Sequence, residues 1–317
     1  MFRLVCILCL SLLVARPLAA AETPAGSAAA SPELNLDRLS VEELEAVYAF
    51  YDYDGEKGYL RIPQYRYPPI FLKYFPDDYN TITNESRRNA LFIKILAPLT
   101  LRLNNEILAL RKKISATAES FRQNGELSPA QQQFIEDTAA EYDVFTRFQG
   151  HRRYTYLLDE LLQRVHVIPP SILITAAALE TNWGTSRIVR EGNSLYKQLN
   201  WHSTEGLKPI GETEDDTYRI KTFPDIYSSM QAFALKLNSG LPYRDFRGFR
   251  NRILQRRTPL LGSVLAPYLV WNSPLQNYAG LFDYTLAYYE LNVIDKSVLD
   301  SKMIEKKLPK SLQNKAL

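Results

Sequence analysis

The run Ile172-Leu-Ile-Thr-Ala-Ala-Ala-Leu179 constrains this chain more than any other stretch. It carries one hydroxyl and is otherwise apolar, and Pro169-Pro170-Ser171 before it is a helix-opening sequence. A helix that is apolar on all sides cannot lie on a surface, so the fold has to wrap other elements around it. The run ends at Glu180-Thr-Asn-Trp183-Gly184. A carboxylate there sits at the partially negative end of a helix, in apolar surroundings, with an indole three residues on. All three influences favour its protonated form. A carboxylic acid kept neutral at roughly pH 6–7 is what a general acid needs to protonate a glycosidic oxygen. The alternative is a structural carboxylate held in an ion pair.

The first residues read as a secretory signal over 1–21. Arg3 supplies the positive start, Leu4 to Val14 the apolar segment, and Leu18-Ala-Ala-Ala21 a cleavage sequence before Glu22. The apolar segment is too short to span a bilayer comfortably; a short uncleaved anchor is the other reading. Both cysteines, Cys6 and Cys9, lie inside this segment. The mature chain is therefore expected to have no disulfide, no thiol catalysis and no thiolate metal site. That composition suits an exported, periplasmic protein. Only Arg3 and Arg16 are lost with the signal, so the formal charge of +3 drops towards neutrality. Near-neutral charge gives no argument for a nucleic-acid partner.

Residues 22–82 form a small-residue linker followed by a Tyr- and Pro-rich segment. A short helix is predicted from Ser40, with Glu42 and Glu43 in its first turn. Residues 48–79 hold eight of the twenty tyrosines together with Pro63, Pro68, Pro69 and Pro76, and read as an extended strap. An N-terminal helical region follows over 83–165. Its apolar positions from Leu91 to Ile114 recur at three- and four-residue steps, with Pro98 expected to kink or divide the run and Asn124-Gly125 to end it. Ser128-Pro129 opens a second helix, and a third covers roughly 154–165. Over 166–292, the apolar helix is followed by a turn at Gly192-Asn193-Ser194, a β-hairpin over 205–223 bearing Glu212, Glu214, Asp215 and Asp216, and further helices. The helix at 243–257 is amphipathic, with arginines 244, 247, 250, 252, 256 and 257 read as a solvated face or a contact to anionic wall or lipid groups. Residues 293–317 read as a polar tail, frayed from Lys296.

A buried helix ending in Glu, then a loop, then a small acidic hairpin, then helices, is a lysozyme-like order. Ala178-Leu-Glu-Thr-Asn-Trp-Gly-Thr-Ser-Arg187, followed by Glu191-Gly-Asn-Ser-Leu-Tyr196, resembles the core signature of bacterial peptidoglycan glucosaminidases of the glycoside hydrolase family 73 type. Within that family the chain is similar to the Bax-like members. They share stretches resembling Phe92-Ile-Lys-Ile-Leu-Ala-Pro98 and Leu237-Asn-Ser-Gly-Leu-Pro-Tyr-Arg-Asp-Phe-Arg-Gly-Phe-Arg250. The resemblance implies Glu180 as catalytic acid, Trp183 and Gly184 as the wall beside it, and Asn193 and Tyr196 in the loop after it. It further implies cleft tyrosines at Tyr268 and Tyr278. The chain departs from the pattern at the second carboxylate, where Bax-like members carry a Glu in the second hairpin strand and this chain has Arg219. Glu214, or next Glu212, takes the role of base or charge stabiliser; otherwise the acetamido group of the substrate does so.

The resulting expectation is an α+β, mainly helical protein: a lysozyme-like glucosaminidase domain with a small β-hairpin and an N-terminal helical extension. It would cleave β-1,4 bonds of peptidoglycan glycan strands as an endo-β-N-acetylglucosaminidase, with no cofactor, no metal, no nucleic-acid partner and no stable membrane insertion of the mature chain. His151, His166 and His202 show no metal-ligand spacing. The alternatives are a catalytically silent glycan-binding or envelope-scaffold protein on the same fold, and a lytic transglycosylase, which needs one acid only.

Overall fold

Four tyrosines of the Tyr-rich strap are core residues, and they carry much of the architecture. In the computed structural model, residues 32–54, 65–201, 204–209, 218–269 and 277–316 are described. The expected signal sequence and the hairpin acids Glu212, Glu214, Asp215 and Asp216 lie outside them. Strand β1 (Leu34–Leu36) leads to helix α1 (Val41–Phe50). Ser40 caps α1 as expected: Glu43 N–H donates to Ser40 Oγ at 3.2 Å and Ser40 N–H to Glu43 Oε2 at 2.9 Å. Strand β2 (Arg66–Tyr67) precedes β3 (Ile70–Leu72), which pairs in parallel with β1. Tyr48, Tyr53, Tyr67 and Tyr79 are almost fully buried. Tyr53 meets Tyr48 and Tyr67 edge-on, with ring centroids 5.0 and 6.1 Å apart.

Helix α2 (Glu85–Asn124) runs unbroken through Pro98, contrary to the expected division. A proline removes one backbone donor and strands the carbonyl four residues earlier. Here that carbonyl belongs to Lys94, and the buried Tyr53 hydroxyl donates to it at 3.1 Å. The strap thus supplies the bond that the helix lacks. Gly125, at φ 78°, ends the helix and donates to Phe121 O at 2.9 Å.

Helix α3 (Pro129–Glu141) opens with a second Ser–Gln capping box, and α4 (Gly150–Arg164) starts a turn earlier than the periodicity predicts. Helix α5 (Pro170–Thr181) is the apolar run, buried at every residue from Pro170 to Ala178. Full burial of Ile172, Leu173 and Ile174 contributes about 1.5–3 kcal/mol each. Helix α6 (Arg187–Gly192) leads to β4 (Leu199–Trp201), antiparallel to β5 (Tyr218–Ile220) in the register Leu199↔Ile220, Asn200↔Arg219 and Trp201↔Tyr218. The partner of β5 is therefore an earlier segment than the predicted 205–223 hairpin. Leu207 takes the other edge through two bonds of 2.9 Å with Ile220. Gly206, at φ 112°, permits this approach, since a Cβ there would lie 2.3 Å from Ile220 O.

Helices α7 (Ile226–Ser239), α8 (Arg244–Gln255), the short α9 (Gly262–Leu265) and α10 (Tyr278–Tyr288) follow. Around α5 stand α2, α9, α10 and the 3-10 segment Leu291–Lys296. The helical region at 83–165 packs into the same unit as the rest, because α2 lies directly on α5. The architecture is mainly helical α+β, as expected.

Two expectations are corrected. The end of the chain is not a frayed tail: β6 (Val298–Leu299) pairs in parallel with β2, Ile304 and Leu308 are buried, and Lys306 O accepts from the Tyr51 hydroxyl at 2.9 Å. A short helix α11 (Lys310–Ala316) closes it. The arginines of α8 are not all solvated either. Arg250 is fully buried and Arg247 nearly so. Arg250 donates to the carbonyls of Gln163, Arg164, His166 and Val167 and to Asn238 Oδ1, meeting the orphan acceptors beyond α4. Burial, then the neighbouring Arg247 and Arg111, lowers its pKa to about 9. Backbone carbonyls and the Asn238 amide thus engage both terminal nitrogens of the guanidinium without a counter-charge.

Candidate active site

The end of α5 is built as a tight left-handed turn. Asn182, Trp183 and Gly184 take φ values of 48°, 57° and 81° in succession. For the two non-glycine residues this costs roughly 1–2 kcal/mol each, and the surroundings offset it. Trp183 N–H donates to Ala178 O at 2.9 Å and Ser186 N–H to Thr181 O at 3.0 Å. Thr181 Oγ1 donates to Ala177 O at 2.5 Å and accepts from Gly184 N–H at 3.0 Å. The Tyr79 hydroxyl donates to Trp183 O at 3.1 Å. A Cβ on Gly184 would lie 3.0–3.2 Å from the rings of Phe75, Tyr79 and Phe92, so glycine is required for space as well as for φ.

Glu180 lies one residue before the end of α5 and is half-buried, next to the turn just described. Burial raises its pKa above the usual carboxylate value, while the neighbouring Tyr278 hydroxyl and the charge of Lys197 pull it back. Tyr278, the first residue of α10, is buried, and its hydroxyl is pushed upward by burial and then by Glu180. It follows Asn277, itself at φ 54°. An acid, a phenol and an ammonium thus converge from three separate elements. Such a carboxyl keeps its proton to a higher pH than an exposed one, while Tyr278 and Lys197 favour its charged form.

The other predicted residues are placed differently. The Trp183 indole lies against Phe92 of α2, with centroids 5.7 Å apart, and against Tyr289 at 4.6 Å. Asn193 caps α6 at φ 49° and donates through Nδ2 to Phe223 O at 2.9 Å and Pro224 O at 3.3 Å, tying the turn to the end of the hairpin. Tyr196 is buried and stacked on Phe233 at 4.1 Å. Tyr268 is half-buried and stacked on Phe249 at 4.1 Å. Arg219 donates to Tyr218 O at 2.9 Å.

Two contributors escape sequence reasoning. Nothing in the sequence neighbourhood of Lys197 points to Glu180, whose pKa its charge lowers. Asp295 lies in the segment read as a polar tail, yet it holds the start of the helix that carries Glu180. Its carboxylate accepts from Ser171 N–H at 2.8 Å, Ser171 Oγ–H at 2.7 Å and Gly262 N–H at 2.8 Å. Burial raises its pKa to about 6 against the pull of those donors. Gly262 is needed there, since a Cβ would fall 2.0 Å from Ser171 Oγ. Among the described residues, no group of three His, Cys, Asp or Glu side chains is placed to share a metal ion, and no helix is long and apolar enough to cross a membrane.

Residues 157–282 match the family model described as Glucosaminidase, mannosyl-glycoprotein endo-beta-N-acetylglucosaminidase. That segment contains Glu180, Lys197 and Tyr278, so the candidate site lies inside the part of the chain that is similar to the glucosaminidase family. The chain is 29% identical over 170 residues to Protein bax of Escherichia coli (strain K12), an alignment covering 52% of this chain and 56% of that relative. It thus spans a little over half the length of that relative. The catalytic domain of the autolysin Auto from Listeria monocytogenes aligns at 16% identity and a TM-score of 0.31, over 57% of this chain and 96% of that one.

Proposed function

We propose that this protein is an exported glycoside hydrolase that cleaves β-1,4 bonds in peptidoglycan, acting as an endo-β-N-acetylglucosaminidase with Glu180 as general acid. The observation that carries this reading is the half-buried Glu180 at the end of a buried helix, beside Tyr278 and inside the segment that matches the glucosaminidase model. The raised carboxyl pKa keeps a proton available for the leaving oxygen. As the glycosidic bond breaks, positive charge develops on the sugar. A hairpin carboxylate, Glu214 or Glu212, stabilises that charge or activates water. If neither does so, the substrate acetamido group takes that role, and the Arg219 at the second hairpin strand favours this variant.

The test is digestion of purified peptidoglycan sacculi with the full chain, followed by mass spectrometry of the new ends. Reducing N-acetylglucosamine ends are expected. Anhydro-muramic ends would identify a lytic transglycosylase instead, and no new ends on any sacculus tried would identify a glycan-binding protein without catalysis. Glu180→Gln keeps shape and hydrogen bonding but cannot donate the proton, so turnover is expected to fall roughly 10²–10⁴-fold with the fold retained. Unchanged turnover would remove Glu180 from the reaction.

A further inference from the structure

Helix α10 carries two stripes of large side chains. Tyr278, Phe282 and Leu286 face the core. Leu281, Tyr284 and Tyr288, at steps of three and four, face outward and are 40%, 63% and 62% exposed. The outer face of a surface helix is ordinarily polar, so such a stripe has a cause outside the core. Tyr284 and Tyr288 stack on each other, with ring centroids 5.5 Å apart and planes 23° from parallel. Tyr288 meets Tyr289 edge-on at 5.0 Å, and Tyr289 lies on Trp183 at 4.6 Å. Asn89, itself buried, donates through Nδ2 to the Tyr289 hydroxyl at 2.7 Å and fixes that ring. Helix α10 thus meets the end of α5 at both of its ends: Tyr278 stands beside Glu180, and Tyr289, just past the last turn, stands against Trp183. The exposed stripe lies between these two points in sequence, and the four rings join it to the turn that follows Glu180. Acidic side chains border it. Asp283 and Glu290 are exposed next to it in sequence, and Glu85 is near enough to add to the upward push that burial gives the Tyr289 pKa.

We propose that Tyr284 and Tyr288 form a glycan subsite beyond the bond that is cut, where pyranose rings of the substrate strand stack on the exposed aromatic faces and the strand passes along Tyr289 and Trp183 to Glu180. The proposal rests on the reading of Glu180 as the acid of a peptidoglycan hydrolase. The face of a tyrosine ring is the negative side of its quadrupole, and the C–H face of a sugar ring meets it favourably. Tyrosines locked on one helix have few rotatable bonds left to order, so little entropy is lost on binding. The acidic border opposes phosphate-bearing lipid or nucleic acid, while an uncharged sugar ring is indifferent to it. Tyr284 and Tyr288 both lie past residue 282, where the match to the glucosaminidase model ends, so the stripe belongs to this chain outside that segment.

The experiment is isothermal titration of the full chain, carrying Glu180→Gln to stop turnover, with the β-1,4-linked hexamer of N-acetylglucosamine. Saturable binding is expected. Tyr284→Ala and Tyr288→Ala together should weaken it about tenfold or more, while the two Phe substitutions, which keep the rings, should hold it within about threefold. Both side chains are exposed, so neither pair should move the thermal midpoint. Phe145→Ala, at an aromatic 73% exposed between α3 and α4, should leave binding unchanged. Hexamer binding that survives the Ala pair would overturn the subsite and leave the hydrolase reading standing. Phe variants as weak as the Ala pair would overturn stacking as its basis. A dimer in sedimentation that dissociates on Tyr284→Ala and Tyr288→Ala would give the stripe to a second copy of the chain and overturn it as well. If the hexamer does not bind at all, the subsite falls, and the ends released from sacculi by the unaltered chain show separately whether the hydrolase reading falls with it.

Discussion

The hydroxyl of Tyr278 sits beside the carboxyl of Glu180, so the first residue of α10 acts on the last turn of α5. The hydroxyl pulls the Glu180 pKa down while burial pushes it up. A general acid works only while protonated, so the proposed activity should fall as pH rises through the raised Glu180 pKa. Tyr278→Phe removes an influence that favours the carboxylate, leaving burial less opposed. The alkaline limb of the kcat/KM profile should then move to higher pH. Lys197→Met should move it the same way, since the ammonium also favours the charged form. A limb that stayed put in both variants would place the controlling group elsewhere.

Asp295 anchors the opposite end of the same helix. Asp295→Ala would leave Ser171 N–H, Ser171 Oγ and Gly262 N–H without their acceptor in a buried place. Leaving such buried donors unmet costs about 1–3 kcal/mol each, so a fall of roughly 3 kcal/mol or more in unfolding free energy is expected by urea denaturation. Asp295 also gives a pH signature. Its folded pKa, about 6, lies above the ordinary 3.8, so its contribution is fully present below about 3.8 and lost as pH rises through about 6. Asp295→Asn carries no titrating proton, and its stability should vary less with pH over that window.

Tyr53 and Pro98 predict a coupled pair. Tyr53→Phe removes the hydroxyl that meets Lys94 O and should cost about 1–3 kcal/mol. Pro98→Ala restores a backbone donor for the same carbonyl. In the Pro98→Ala background, Tyr53→Phe should therefore cost clearly less, and a double-mutant cycle on thermal or urea unfolding reads the difference as coupling. Additive costs would show that Tyr53 stabilises the chain through its ring packing instead.

What was legible in the sequence was what periodicity and local chemistry carry. The apolar run from Ile172 to Leu179, its end at Glu180, the Ser40 and Ser128 caps and the Gly125 stop are all local, and all appear where expected. The unbroken α2 was not legible, because its repair comes from a tyrosine 41 residues away along the chain. The packed C-terminal segment was not legible either: its polar composition hides Ile304 and Leu308, and its strand needs β2 to exist. Arginines at 247 and 250 look like a solvated face until the carbonyls ending α7 and α4 are brought beside them. At the site, Glu180 announced itself by its neighbours in sequence. Lys197 and Asp295 act through contacts that only the folded chain creates.

The second carboxylate gives the sharpest test of the proposed mechanism. Two carboxylates about 5–10 Å apart are the usual requirement of a glycosidase, and Glu212–Asp216 is the dense acidic group that follows Glu180 in the chain. Strand β5 begins two residues after Asp216, and Arg219 stands on it opposite Asn200, so the acids belong to the connection leading into the strand. From such a connection the longer stem of Glu reaches further than that of Asp. Glu214→Gln is therefore expected to lower turnover on sacculi strongly, with Glu212→Gln next, while Asp215→Asn and Asp216→Asn change it little. Four single variants assayed beside the unaltered chain decide the matter. If all four keep near-full rate, the hairpin supplies no catalytic carboxylate, and the substrate acetamido group becomes the partner of Glu180. Hydrolysis would then depend on an N-acetyl group at the cleaved sugar, and deacetylated sacculi should be cut far more slowly than untreated ones.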